Sequence, residues 1–199
     1  MINTSNQIKS KIKNSKRGKL FFPDDFAALG TPDAIRLALG KLHKSNLIMR
    51  VAHGIYFYPK KDTKYGATPV PPTIDEIAYG IAKRDKIRIV PTGSYALNTL
   101  GLSTQVQANA VFITDGAPRR IAVGKGRGIL FKHTSEARSL AFKSRLLMLI
   151  VSALREIGEG KATAQQLDII KSQLENVSQK EFSNDIKLMP LWVRKLLLS

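Results

Sequence analysis

Residues 32–44 bring basic side chains together at a spacing that suits contact with a polyanion. The apolar residues Ile35, Ala38, Leu39 and Leu42 recur at helical spacing and mark the inward stripe of an amphipathic helix. The opposite face then carries Asp33, Arg36, Gly40, Lys41 and Lys44. Laid in a major groove, such a helix presents these groups to bases and phosphates. Arg36 has the fork that grips guanine bidentately, while Lys41 and Lys44 suit phosphate oxygens. Gly40 leaves room for close approach, at a cost of about 1 kcal/mol in helix propensity relative to Ala. Arg50 and His53, further along the chain, are placed to touch the DNA backbone or the minor groove. The same face on a module that binds protein would be a solvated charged surface, and that alternative stays open.

The flanking residues indicate how this helix is held. Thr31 is a natural N-cap, Pro32 suits the first helical position, and Asp33 complements the positive end of the helix dipole. Ser45-Asn46 can close the helix, because Asn tolerates a left-handed C-cap. Leu47 to Val51 then reads as a strand, Ala52-His53-Gly54 as a turn, and Ile55 to Tyr58 as a second strand ended by Pro59. Upstream, Phe22-Pro23-Asp24-Asp25-Phe26 opens a short helix that turns at Gly30. Residues 4–15 suit a first amphipathic helix with Ile8 and Ile12 inward. Lys16-Arg17-Gly18-Lys19 forms a basic turn, from which Lys16 and Arg17 join the candidate DNA contacts, and Leu20 to Phe22 a short strand. Together these pieces predict an N-terminal winged helix-turn-helix over residues 1–64, with Thr31, Arg36, Lys41, Lys44, Arg50, His53, Lys16 and Arg17 as its DNA-binding set.

Other chemistry is poorly represented. Gly124-Lys125-Gly126-Arg127-Gly128 fits neither of the glycine-rich phosphate-binding spacings and reads as a basic hairpin turn. Thr92-Gly93-Ser94 after a strand has the Gly-Ser opening of nucleotidyltransferases, but no Asp-x-Asp follows to hold two metal ions. Asp115 stands alone before a turn. Glu159-Gly160-Lys161 is a nuclease-like fragment without a partner acid, and Glu156 one helical turn earlier reads as solvent-facing. No serine or histidine has an evident base and orienting acid. His43, His53 and His133 show no metal-ligand spacing. The chain is therefore expected to be no enzyme and to need no cofactor or metal; a nuclease-related nucleic-acid enzyme is the catalytic alternative.

Charge supports a nucleic-acid partner. The 199 residues carry 32 Lys and Arg against 15 Asp and Glu, a net charge of +17. Residues 1–65 hold 13 of the basic and 4 of the acidic residues, so the excess is steepest on the first domain, where counterion release rewards it. A hydrophobic fraction of 43% supports a packed core. Absence of cysteine removes disulfides and thiolate metal sites and fits a reducing cytoplasm. No apolar run approaches the roughly 18 residues of a membrane span, and the basic N-terminus lacks an apolar signal core, so export is not expected.

Residues 59–72 carry four prolines and read as an extended linker. A second domain, 65–199, follows. Thr73 and Glu76 form a capping box that opens a helix through Ile74, Ile77, Ala78, Ile81 and Ala82. Lys86 to Pro91 alternates like a strand, Ser94 to Leu100 reads as a short helix ended by Gly101, and strands are expected near 109–114, 119–124 and 128–133. From about 135 to 199 the chain is a helical tail, including Phe142 to Ile157, Ala164 to Leu174 and a last helix from Pro190. That apolar last segment, with Trp192, either docks on its own core or offers a contact to a partner. The overall expectation is an α+β chain: a winged helix-turn-helix, then an α/β domain with a small, mostly antiparallel sheet to about 134, then the tail.

Several blocks taken together resemble the AbiE-type antitoxins of type IV toxin–antitoxin systems, described as transcriptional regulators of viral defence. They run from Ile8 to Ile12, Phe22 to Phe26, Ala38-Leu39-Gly40-Lys41-Leu42, Ile48-Met49-Arg50, Gly54-Ile55-Tyr56 and Tyr58-Pro59. In the second domain they are Pro91 to Ala96, Asn98, Leu100-Gly101-Leu102-Ser103, Thr114-Asp115-Gly116 and Phe131-Lys132. The resemblance covers about residues 8–140, and its Gly-Ser-Tyr-Ala to Gly-Leu-Ser block is its most specific part. It implies a first domain that binds an inverted repeat in promoter DNA, as a homodimer or side by side, and represses its own operon. It implies a second domain that counteracts a separately encoded nucleotidyltransferase-like toxin, with or without direct binding. It brings no catalytic residues. The wing of such proteins is more positive than Ala52-His53-Gly54, and His53 would make this one responsive to pH.

Overall fold

The computed structural model describes residues 3–62, 68–105, 107–124 and 126–198. The fold is α+β, about half of it helical, with three small sheets among the described residues. It divides into two compact units, Met1–Ile81 with Val123–Lys125, and Ala82–Ala122 with Gly126–Ser199. The division falls inside a helix, later in the chain than the boundary expected near residue 64. Residues 63–67 of the expected linker lie outside the described residues, as does Lys125 of the glycine-rich turn.

The first unit is built from α1 (Thr4–Lys13), β1 (Leu20–Phe21), a 3-10 helix (Pro23–Leu29) and α2 (Pro32–Lys44). It continues with β2 (Met49–Ala52), β3 (Ile55–Phe57), β4 (Lys60–Asp62), β5 (Thr68–Val70) and most of α3 (Ile74–Asp85). Strands β1, β3 and β2 form an antiparallel sheet in that order, with Leu20 opposite Phe57 and Met49 also opposite Phe57 on the other side. The apolar stripes expected on α1 and α2 are the ones buried. Ile8, Ile12, Ile35, Ala38, Leu39 and Leu42 close over Phe21, Phe26, Ile48, Tyr56 and Tyr58, and the Phe21 and Phe26 rings stack at 5.7 Å. Each fully buried aliphatic side chain of this cluster contributes on the order of 2 kcal/mol.

The proline-rich linker differs from expectation. Its ends pair as the two-stranded antiparallel sheet β4–β5, with Lys61 opposite Pro69. A two-stranded ribbon consists of edges only, so a proline without an N–H is tolerated in it. The capping box at the start of α3 forms as the spacing predicts: Glu76 N–H donates to Thr73 Oγ1 at 3.1 Å and Thr73 N–H to the Glu76 carboxylate at 2.8 Å. These bonds, the Thr73 backbone bond first, together with Lys60, hold the Glu76 carboxyl below its ordinary range.

In the second unit β6 (Ile89–Pro91), β7 (Asn109–Thr114), β8 (Arg119–Ala122) and β9 (Gly128–His133) form one sheet in the order β6-β7-β9-β8. The β6–β7 and β8–β9 pairs are antiparallel, but β7 and β9 run parallel, Phe112 beside Phe131. Strand β6 is shorter than the alternation of 86–91 implies. Lys86 is instead the left-handed cap of α3 (φ 55°), and Ile87 N–H bonds back to the Ala82 carbonyl at 3.0 Å.

The helices are α4 (Ser94–Thr99), α5 (Arg145–Ile157), α6 (Ala164–Leu174), α7 (Gln179–Asp185) and α8 (Leu191–Leu198). Their core gathers Ala96, Leu147, Ile150, Leu154, Ile170, Met189 and Val193. The last helix thus docks through Val193 on its own unit, while Leu191 and Leu198 stay exposed. Asp185, 1% exposed, accepts backbone N–H bonds from Lys143 and Ser144 at the start of α5, where a negative charge also complements the helix dipole. Among the described residues no helix is long and apolar enough to cross a membrane.

Candidate nucleic-acid interface

Helix α2 starts where its sequence says it should. Thr31 Oγ1 accepts the Ala34 N–H at 3.4 Å, and Pro32 occupies the first turn. It ends at Asn46, which is left-handed (φ 56°), with Asn46 N–H donating to the His43 carbonyl and Leu47 N–H to the Leu42 carbonyl, each at 3.0 Å. This pair of bonds is a Schellman closure, and it turns the chain directly into β2.

The β2–β3 hairpin supplies the other wall. Arg50 faces Tyr56 and Ala52 faces Ile55, so Val51 is one residue too many on β2 and forms a bulge. Bulges bend a strand and re-aim its side chains. Gly54 carries the tight turn at φ 66°, a conformation that costs most other residues. At the tip the Arg50 guanidinium contacts His53 Nδ1 at 3.1 Å.

Between helix and hairpin lies a groove of about 710 Å³. Asp33, Arg36, Leu37, Gly40, Lys41 and Lys44 line it from α2, and Arg50, His53, Gly54 and Tyr56 from the hairpin, with Pro23 at one edge. Arg36, Lys41, Lys44, Arg50 and His53 are all exposed. The only carboxylate among these lining residues is Asp33, which is ion-paired with Arg36. A Cβ built on Gly40 meets no atom within 4 Å, so the groove is open beside that backbone.

Five of the eight expected contact residues are thus gathered at one groove. The other three sit elsewhere. Thr31 spends its hydroxyl on the helix cap. Lys16 and Arg17 lie in the turn after α1, and Arg17 donates to the Pro59 carbonyl at 2.9 Å with its guanidinium 4.6 Å from the Tyr58 ring centre. Leu37 and Tyr56 line the groove without being in the expected set. For Leu37 a signal existed: it is an apolar residue off the buried stripe of α2. Tyr56 is recognisable only once its register opposite Arg50 is known.

Three acids of the second unit, Asp85, Asp115 and Glu136, are engaged with arginines. Asp115 accepts the Arg88 backbone N–H and its Nε–H, both at 2.8 Å, and Arg88 draws its carboxyl below the ordinary range. Asp85 is held low by Arg84 and then Arg119, and Glu136 by Arg155. Among the described residues no three His, Cys, Asp or Glu side chains gather as a metal site. A cavity of about 120 Å³ in this unit is lined by Thr92, Ser139, Ser152, Arg155 and Glu156 over an apolar floor; Ser152 Oγ donates to the Pro91 carbonyl at 2.6 Å and Arg155 Nη1 to Ser139 Oγ at 2.6 Å.

Compared with known families, residues 7–185 match the model described as "Family of unknown function (DUF6088)". The chain belongs to this family. The matched span includes every residue lining the groove, and it ends at the buried Asp185. No curated protein matches the chain.

Proposed function

We propose that the first unit is a winged helix-turn-helix that binds double-stranded DNA, with α2 as recognition helix and the β2–β3 hairpin as wing. The observation that carries this reading is the groove itself: Arg36, Lys41, Lys44 and Arg50 converge on it from two elements, exposed to solvent. Exposed cations held on a rigid helix release counterions from DNA at little ordering cost. Arg36 lies in the N-terminal half of α2, where recognition helices meet base edges, and Lys41 and Lys44 lie further along, where they meet phosphates.

The test is a salt titration of duplex binding by fluorescence anisotropy. Three phosphate contacts, from Lys41, Lys44 and Arg50, give a slope of log affinity against log salt of about −3. Salt-independent binding, or no binding to any duplex, overturns the reading and favours a protein partner for the same face.

The wider role we infer is that of a DNA-binding antitoxin that represses its own operon and opposes a nucleotidyltransferase-like toxin. The resemblance of residues 8–140 to AbiE-type antitoxins supports it, together with the chain's net charge of +17. Repression is tested with a reporter fused to the DNA upstream of its gene. Neutralisation is tested by growth rescue when the chain is co-expressed with a nucleotidyltransferase-like neighbour.

A further inference from the structure

Leu37 is an anomaly on its helix. It is 67% exposed, although α2 buries four other apolar side chains. The other large exposed hydrophobics among the described residues, Val70, Leu191 and Leu198, do not line the groove. Leu37 does, one residue after Arg36 and one turn before Gly40. No Cβ at Gly40 stands between it and a ligand, and the space there is empty. Its isobutyl group adds nothing to the core, so its folding value is close to that of alanine.

Resting on the DNA-binding reading above, we infer that Leu37 contacts the C5-methyl group of a thymine in the major groove, beside the base met by Arg36. Within the major groove that methyl is the apolar feature a base pair presents, and apolar side chains read it by exclusion of water. The other side chains that α2 presents to the groove are all charged: Asp33, Arg36, Lys41 and Lys44 bond to polar base edges and phosphates, which leaves Leu37 as the apolar group the helix offers there. Gly40 lets the helix backbone sink close enough for a side chain as short as leucine to reach the base. The site would therefore require a thymine at one fixed step from the base that Arg36 reads.

The experiment uses the full chain and duplexes enriched from a random pool by repeated selection on it. Each thymine of the enriched site is replaced singly by deoxyuridine, which differs only by the missing methyl. Wild type is expected to lose about fourfold in affinity at one thymine per half-site, the worth of one buried methyl group, and to be indifferent elsewhere. Leu37→Ala is expected to bind the thymine and deoxyuridine forms equally, with its salt slope unchanged. Binding that is indifferent to every deoxyuridine replacement, or sensitivity that survives in Leu37→Ala, overturns the methyl contact while leaving DNA binding standing. Failure of the pool to enrich any duplex overturns both.

Discussion

Asp33 and Arg36 are bonded to each other one turn apart on the exposed face of α2, with side chains 81% and 69% exposed. An ion pair that wet adds at most about 1 kcal/mol to stability. Its effect is on direction: the carboxylate restrains the guanidinium at the mouth of the groove. Arg36→Ala is therefore expected to lose about 1–3 kcal/mol on the preferred duplex and little on a random one. Lys44→Ala is expected to weaken both alike and to reduce the salt slope by about 1. Anisotropy titrations on the two duplexes separate these outcomes. Equal losses for both variants would remove the division of labour along α2.

Gly40 separates stability from binding. It is helical with open space where a Cβ would go, so Gly40→Ala is expected to stabilise the chain by up to about 1 kcal/mol. The added methyl narrows the groove, and duplex affinity is expected to fall. Thermal melting together with anisotropy would register both changes. A variant that melts higher and binds as well as wild type would show that nothing approaches that backbone.

Asp185 joins chain segments far apart in sequence, accepting the N–H of Lys143, 42 residues earlier, and that of Ser144. Asp185→Ala leaves these donors without a partner in a buried place, a loss of about 1–3 kcal/mol. Asp185→Asn retains one acceptor oxygen and is expected to lose less. Chemical denaturation of the second unit's helices reads the difference.

Acid should weaken the second unit. The carboxyls of Asp85, Asp115 and Glu136 are all held below their ordinary range by arginines. A folded-state value below the unfolded one contributes stability that is present above the unfolded value and lost as pH falls through the folded one. Melting temperature is thus expected to be flat near neutrality and to drop as pH falls below about 4, the usual carboxylate range. Asp85→Asn, which removes the partner of Arg84 and Arg119, is expected to flatten that drop.

What the sequence made legible is what short-range chemistry encodes. Thr31, Pro32 and Asn46 bound α2 because caps act on neighbouring N–H and carbonyl groups. Ile8, Ile12, Ile35 and Leu39 mark their faces by period alone. The pairing of β4 with β5 and the placing of β9 between β7 and β8 depend on partners distant in the chain, which no turn signal reports. The same holds for Asp185, whose role is set by Lys143 and Ser144. Helix α7 is a different matter: Ser178 and Glu181 carry a capping-box signature that the apolar pattern around it does not reinforce. Five groove residues were legible because one helix and one hairpin hold them; Arg17 was not, because Tyr58 and Pro59 reclaim its side chain.

The wedging of β9 between β7 and β8 also sets an order of events during synthesis. The three-stranded sheet has all its strands once Phe57 has emerged, whereas the four-stranded sheet cannot close before His133. Local closure is fast and distant closure slow. The first unit's three-stranded sheet can therefore mature on the ribosome while the second unit is still being translated, and protease digestion of stalled nascent chains would detect protection of the early residues first.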